Sequence, residues 1–235
     1  MEYPVVSIDH DWRRLIPSKF PTIDVYERLH SDVFRGVALQ LEELTNPRLA
    51  AKARLTRGVA SVDTDSPQLQ NWNHAPFAYP NPEGTYFLNP TYRVMEVASD
   101  VRAALAWAIL RREAFMSRTN EPPAGLDMRM ITNLIRSEFV DLRGLPSDID
   151  EAARWDIGRR YYDQSAAGIL FRHPTILGAD FLSVFDPAAL VSKGVQATHY
   201  RFRWDGTRIP LIYDFGTGDD IRREDLFRSG KRVAA

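Results

Sequence analysis

The sequence predicts an α+β fold, and three observations carry that reading. Short β-type runs are scattered along the whole chain. Helical stretches fall between them without the strict strand–helix alternation of a doubly wound parallel sheet. No repeat or low-complexity segment interrupts the pattern. The 235 residues, 44% hydrophobic and 26% charged, have the ordinary composition of one globular domain. A chain of this length can bury a large core without covalent or metal staples.

The composition also excludes several chemistries. With no cysteine, the chain has no disulfide, thiol nucleophile or Cys-ligated zinc. A net charge of -1 supplies no global basic field, so no direct nucleic-acid partner is expected. No run approaches the roughly 18 apolar residues of a membrane span, and the opening MEYPVVSIDHDWRRL lacks the apolar region of a signal peptide. A cytoplasmic protein without membrane association is the expectation. The five histidines are scattered without ligand spacing, so no metal site is expected. Neither a nucleophile elbow, nor a P-loop, nor a dinucleotide fingerprint occurs.

Along the chain, residues 1–20 read as an extended arm, with Pro4 and Pro17 interrupting regular structure. Residues 22–29 (TIDVYERL) alternate as a half-buried strand, and residues 33–53 look helical. The stretch 58–82, rich in Ser, Asp, Asn and Pro, reads as a long surface loop. Residues 92–98 (YRVMEVA) predict a strand, and Ser99 or Asp100 caps the helix that follows. In that helix Val101, Leu105, Ala108, Ile109 and Met116 share a face, with Trp107 flanking it. Paired prolines in TNEPPAG end it. Short strands are expected at 126–131 and 139–142, a helix over 150–165 capped by Ser147-Asp148, and strands at 168–172 and 180–185. Asp205-Gly206 between 200–204 and 208–213 is a two-residue hairpin signal. The remainder, 216–235, reads as a polar tail.

Several blocks, in order, carry a family resemblance: FPTIDVYERL at 20–29, LTNPRL at 44–49 and NPEGTYF at 81–87. After them come RREAF at 111–115, TNEPPAGLDMR at 119–129, LRGL at 142–145, residues 168–187 and YRFRWDG at 200–206. Together they resemble the RES-domain proteins, NAD+-degrading toxins of RES–Xre toxin–antitoxin pairs. The resemblance implies an ADP-ribosyltransferase-like fold of split, mostly antiparallel sheets with flanking helices, spanning residues 21–215. It implies cleavage of the nicotinamide–ribose bond by phosphorolysis or hydrolysis, with NAD+ as substrate rather than resident cofactor, and an Xre-like antitoxin as partner. Such chemistry needs arginines for phosphate and a carboxylate where positive charge develops on the ribose.

Position by position the match is mixed. Arg28 matches an early family arginine. Tyr86 stands where a Gly-Ser-Arg-Phe pattern has its arginine, and the family's strand tyrosine falls at Met95 or Glu96. Trp107 replaces the helix glutamate, and His173 replaces a serine. Glu96 is therefore the candidate catalytic carboxylate, either pointing inward with a raised pKa or outward in a salt bridge. Arg28, Tyr86, Trp107 and His173 are the candidate ligand-pocket residues; core packing for the rings and an ion pair for Arg28, with Glu27 or Asp24, are the alternatives. The arginine pairs at 111–112, 159–160 and 222–223 read as solvated faces. The chain is expected to be an NAD+-cleaving protein with a divergent pocket, or a non-catalytic nucleotide- or partner-binding module on the same fold.

Overall fold

A computed structural model of the protein describes residues 3–18 and 66–228. The strand expected at 22–29, the helix at 33–53 and the candidate Arg28 lie outside the described residues.

The organising element is one very long strand, β3 (Ala124–Asp141). Sequence patterning divides it in two, because Asn133, Arg136 and Ser137 interrupt its apolar run. One edge of β3 pairs antiparallel with β1 (Val5–Pro17), from Val5 opposite Val140 to Pro17 opposite Met128. The N-terminal arm is thus a full sheet strand; Pro4 and Pro17 sit at its ends, where a missing N–H costs the ladder little. The other edge of β3 is split. Its first half takes β6 (Val195–Trp204) antiparallel, and Val140 and Asp141 take β4 (Gly168–Phe171) parallel. Between the two, Ile135 makes an isolated bridge with Leu190.

From β4 the sheet continues to β5 (Phe181–Val184) and β2 (Met95–Ala98), both antiparallel, and β2 returns to β1 where Ala98 faces Arg13. Five strands therefore close into a ring, β1-β2-β5-β4-β3. On the far side of β3, β6 continues into β7 (Leu211–Asp214) and β8 (Asp220–Arg222). The sheet is mostly antiparallel and the architecture is α+β, as the sequence predicts. The β6–β7 connection is longer than a two-residue turn: Asp205 accepts the N–H groups of Thr207 and Arg208, both at 2.8 Å, around Gly206 at φ +102°.

Strand alternation sorts the core into two parts. Ile8 and Trp12, Met95 and Val97, Leu182 and Val184, Leu170, and Ile135 with Phe139 come from all five ring strands and fill its inside. The opposite face carries Val94, Ala98, Ile169, Phe171 and Phe181, against which helix α2 (Val101–Met116) packs. Asp100 caps α2 through the Ala103 N–H at 2.7 Å. Helix α3 (Glu151–Asp163) is capped by Asp150, not by the earlier Ser147-Asp148. Part of the stretch expected as loop is ordered as helix α1 (Asn71–Ala78). Its polar composition hides burial: Asn73 is fully enclosed and donates to the carbonyl of Pro67 at 3.0 Å. After Phe215 the chain adds β8 and a short helix, α4 (Arg223–Phe227), whose Leu226 is buried. Buried Arg102 of α2 donates to the Leu226 carbonyl at 2.6 Å and pins that helix down.

Candidate functional site

Glu96 sits on β2 between two buried residues, Met95 and Val97, that point into the ring. Its own side chain must face the other way, toward α2. That settles the open choice: Glu96 is directed inward, under the helix, into a cleft of about 240 Å³. Helix α2 presents Ala104, Trp107, Ala108 and Arg111 to this cleft, the i, i+3, i+4, i+7 spacing of one helical face. The alanines leave room and the larger side chains furnish the walls. Across from α2 stand Arg13, Arg14 and Leu15 of β1 and Met128 of β3; Pro76, Tyr79, Asn81 and Thr85 line it further.

The Glu96 carboxylate is partly buried and well held. Its Oε1 accepts the Tyr86 backbone N–H at 2.8 Å and faces the Ser183 hydroxyl at 3.5 Å, Ser183 lying opposite it in the β2–β5 register. Burial raises its pKa, opposed by the charge of Arg111, the Tyr86 N–H, the Ser183 hydroxyl and the Trp107 side chain. An indole has only its N–H to offer. Trp107, standing where a family glutamate is expected, is therefore a donor toward a glutamate supplied by the facing strand.

Arg111 donates to the Gly84 carbonyl at 2.5 Å and lies over the Trp107 ring, 5.9 Å from its centroid. Arg112 also lines the cleft, and burial lowers its pKa, as does the charge of Arg111, while Glu83 opposes. The reading of this pair as a solvated face is corrected: α2 turns both toward the cleft because its stripe of small residues runs directly beneath them. Arg159, by contrast, does lie on an exposed surface, paired with Asp156 at 2.9 Å. Arg223 is neither; it bonds Glu113 through two nitrogens, at 3.1 and 3.0 Å. Four arginines and one carboxylate line the cleft, but Arg13 donates to the Ser99 carbonyl at 3.2 Å and Arg14 to the Trp72 carbonyl, so the positive charge that acts on Glu96 is that of Arg111. Sequence reasoning missed all four, although the helical spacing from Ala104 through Trp107 to Arg111 contains the signal.

Tyr86 and His173 are near these groups but have a different occupation. The Tyr86 ring stacks on Phe171 with centroids 4.9 Å apart and planes at 8°, and Arg154 caps its other side at 4.3 Å. His173 packs against Tyr86 at 5.1 Å and Trp107 at 5.2 Å. Neither lines the cleft. Together they form an aromatic wall behind Trp107. The loop carrying Tyr86 is gripped by α3: Arg154 Nε donates to the Tyr86 carbonyl at 3.2 Å and Trp155 to the Thr85 carbonyl at 3.1 Å. Among the described residues, no group of three His, Asp or Glu side chains converges as metal ligands, and no helix is long and apolar enough to cross a membrane.

Comparison with known families decides the assignment. A family model described as RES domain matches residues 62–205, more than half of the chain. The chain belongs to the RES-domain family. This RES-domain protein is also 40% identical over 222 residues to "Uncharacterized protein y4oC" of Sinorhizobium fredii (strain NBRC 101917 / NGR234), across 94% of this chain and 95% of that protein. The matched RES segment contains Glu96, Trp107, Arg111 and Arg112, whereas Arg13 and Arg14 of β1 lie before it.

The aromatic wall of the RES domain makes stability sensitive to acid. Burial, with the charge of Arg154, lowers the His173 pKa to about 4 from 6.5. A depressed folded-state value means the unfolded chain binds the extra proton first, so stability is complete above about 6.5 and is lost as pH falls toward about 4. The difference in melting temperature between wild type and a His173→Gln variant, followed from neutral pH downward, is expected to shrink across that window. A constant difference would contradict it.

Proposed function

We propose that this RES-domain protein binds NAD+ in the α2–β1 cleft and breaks its nicotinamide–ribose bond. One observation carries the reading: Glu96 and Trp107 meet in a single arginine-lined cleft. The acid and the aromatic that the family resemblance leads one to expect are both at the site, with strand and helix having exchanged them. Arginine forks suit the two phosphates of the dinucleotide. The Glu96 carboxylate, ionised, supports the positive charge that grows on the ribose as the C–N bond lengthens. Nicotinamide leaves with the bonding electron pair as a neutral ring, and an oxygen of phosphate or water forms the new bond to the same carbon, water losing a proton in the hydrolytic case. The cleft bounded by the described residues is smaller than the roughly 300–1,000 Å³ of typical ligand sites, so it accommodates the reacting end rather than the whole dinucleotide.

A second reading is a non-catalytic nucleotide- or partner-binding module, favoured by the commitment of Tyr86 and His173 to ring packing. Purified protein incubated with NAD+, with and without phosphate, distinguishes the two when nicotinamide release is followed alongside calorimetric titration with ADP-ribose. Nicotinamide release supports the enzyme; binding without release supports the module; neither result leaves NAD+ out of the function altogether. Family membership supports two further parts of this proposal, an Xre-like antitoxin partner and a cytoplasmic place of action. Co-purification of a helix-turn-helix protein encoded next to this gene would test the first, and fractionation of the native host the second.

A further inference from the structure

The four arginines of the cleft are not equivalent. Arg13 donates to the carbonyls of Asp11 and Ser99, at 3.4 and 3.2 Å, and Arg14 to the carbonyl of Trp72. Arg111 donates to the Gly84 carbonyl at 2.5 Å. All three are committed to backbone around the site. Arg112 is different: among the described residues it has neither a hydrogen-bond acceptor nor an ion-pair partner. The charge of Glu83 reaches it, but Glu83 forms its ion pair with Arg118, at 3.4 Å. Keeping Arg112 in the cleft costs free energy, because half-burial strips solvent from the guanidinium and Arg111 repels it from the next position. A cleft charge held at such a cost, with no partner inside the protein, marks a binding role.

A second donor lies on the same wall. Asn81 lines the cleft, and its Oδ1 accepts the Glu83 N–H at 3.1 Å, so the amide nitrogen is the end left for a ligand. The turn from Asn81 to Gly84 is closed by the Gly84 N–H on the Asn81 carbonyl at 2.9 Å. Through Arg111 and the charge of Glu83 it lies against the end of α2 that carries both arginines. Here the cleft offers N–H groups, whereas its carboxylate, Glu96, is held beside Trp107.

We infer that Arg112, with the Asn81 amide, receives the diphosphate of the ligand, while Arg111 serves Glu96. The assignment rests on the NAD+ reading of this cleft and gives the ligand a direction. The reacting carbon lies at Glu96 and Trp107, and the phosphates lie toward the C-terminal end of α2. Trp107 and Arg112 are five residues apart on α2, about 7.5 Å along its axis; one ribose separates the reacting carbon of NAD+ from its first phosphate. A guanidinium pairs with phosphate oxygens in a fork that a lysine does not reproduce.

Calorimetric titration of the full chain with ADP-ribose and with inorganic pyrophosphate tests it. The variants are Arg112→Gln, Arg112→Lys and, as a control, Arg159→Gln on the exposed surface of α3. Affinity for both probes should fall about 10–100-fold in Arg112→Gln, the scale of one charge-assisted contact. Arg112→Lys should recover part of it, and Arg159→Gln should change it less than about twofold. KM for NAD+ should rise by a similar factor in Arg112→Gln with kcat nearly unchanged. Without ligand that variant should melt at the wild-type temperature or higher, since no bond within the protein is lost. Equal affinities in wild type and Arg112→Gln would overturn the assignment and leave the NAD+ reading standing. A lower melting temperature or a failure to fold would overturn it too, by giving Arg112 a structural task. Pyrophosphate binding through Arg112 without ADP-ribose binding would keep the anion site and remove NAD+. A wild type that binds neither probe would overturn both.

Discussion

In a Glu96→Gln variant, NAD+ consumption is expected to fall by about 10²–10³-fold, the usual scale for losing one electrostatic contact to a developing charge. Glutamine keeps the size of the side chain and an oxygen that can accept the Tyr86 N–H, so KM should change much less than kcat. Stability should move the other way. Burial raises the Glu96 pKa above its ordinary value by disfavouring the charged form, so a carboxyl group at this position costs folding free energy at neutral pH. A neutral amide removes that cost, and the variant should melt at the same temperature or higher. Activity and melting temperature thus respond oppositely, a pattern that unfolding cannot imitate. Placing an acid on the helix, with Trp107→Glu in the Glu96→Gln background, should recover part of the rate, because both positions line the same cleft. An unchanged kcat in Glu96→Gln would remove Glu96 from the chemistry.

Gly158→Ala is the substitution expected to damage the fold most. In an ordinary helix the change would stabilise by roughly 0.5–1 kcal/mol. Here a Cβ would lie 1.8 Å from the Phe87 carbonyl oxygen and 2.7 Å from its carbon, a backbone overlap that no rotamer relieves. The clash dominates: about 4 kcal/mol or more is the scale of such exceptional changes. At roughly 2–4 °C per kcal/mol for a domain of this size, the melting temperature should drop by about 10 °C. Relaxation would push α3 away from residues 84–88 and carry the Tyr86 N–H off Glu96, so NAD+ turnover should fall with stability. Gly144→Ala is the matched control, since a Cβ there meets nothing within 4 Å. It should be neutral to within about 0.5 kcal/mol. Equal melting curves for the two variants would refute the packing argument.

The elements best read from sequence were those whose signals are local. Asp100 caps α2 where a capping residue was expected, and α2 stops at Met116, before the TNEPPAG segment begins. Strands β4 and β5 fall within their predicted spans. What sequence could not show depended on partners distant in the chain. Asn133 reads as a strand breaker, yet it is buried in the middle of β3 because Asn73 meets it from sixty residues away. The direction of Glu96 was undecidable for a related reason: Met95 and Val97 on one side of β2 and Val94 and Ala98 on the other are all apolar, so alternation has no solvent side to report. Arg111 and Arg112 looked like surface residues because acids lie nearby in sequence. Only the packing of α2 against the sheet separates them from those acids.

The closure of the ring by β1 has a consequence in time. Residues 5–17 are synthesised before their pairing partner β3, which lies more than a hundred positions later, and the register runs from Val5 with Val140 to Pro17 with Met128. A nascent chain must therefore keep β1 without its β3 partner until residues 124–141 have emerged, with Ile8 and Trp12 lacking their core contacts meanwhile. During that interval the cleft lacks its β1 wall of Arg13, Arg14 and Leu15. The newborn polypeptide thus acquires its assembled site only once β3 has left the ribosome.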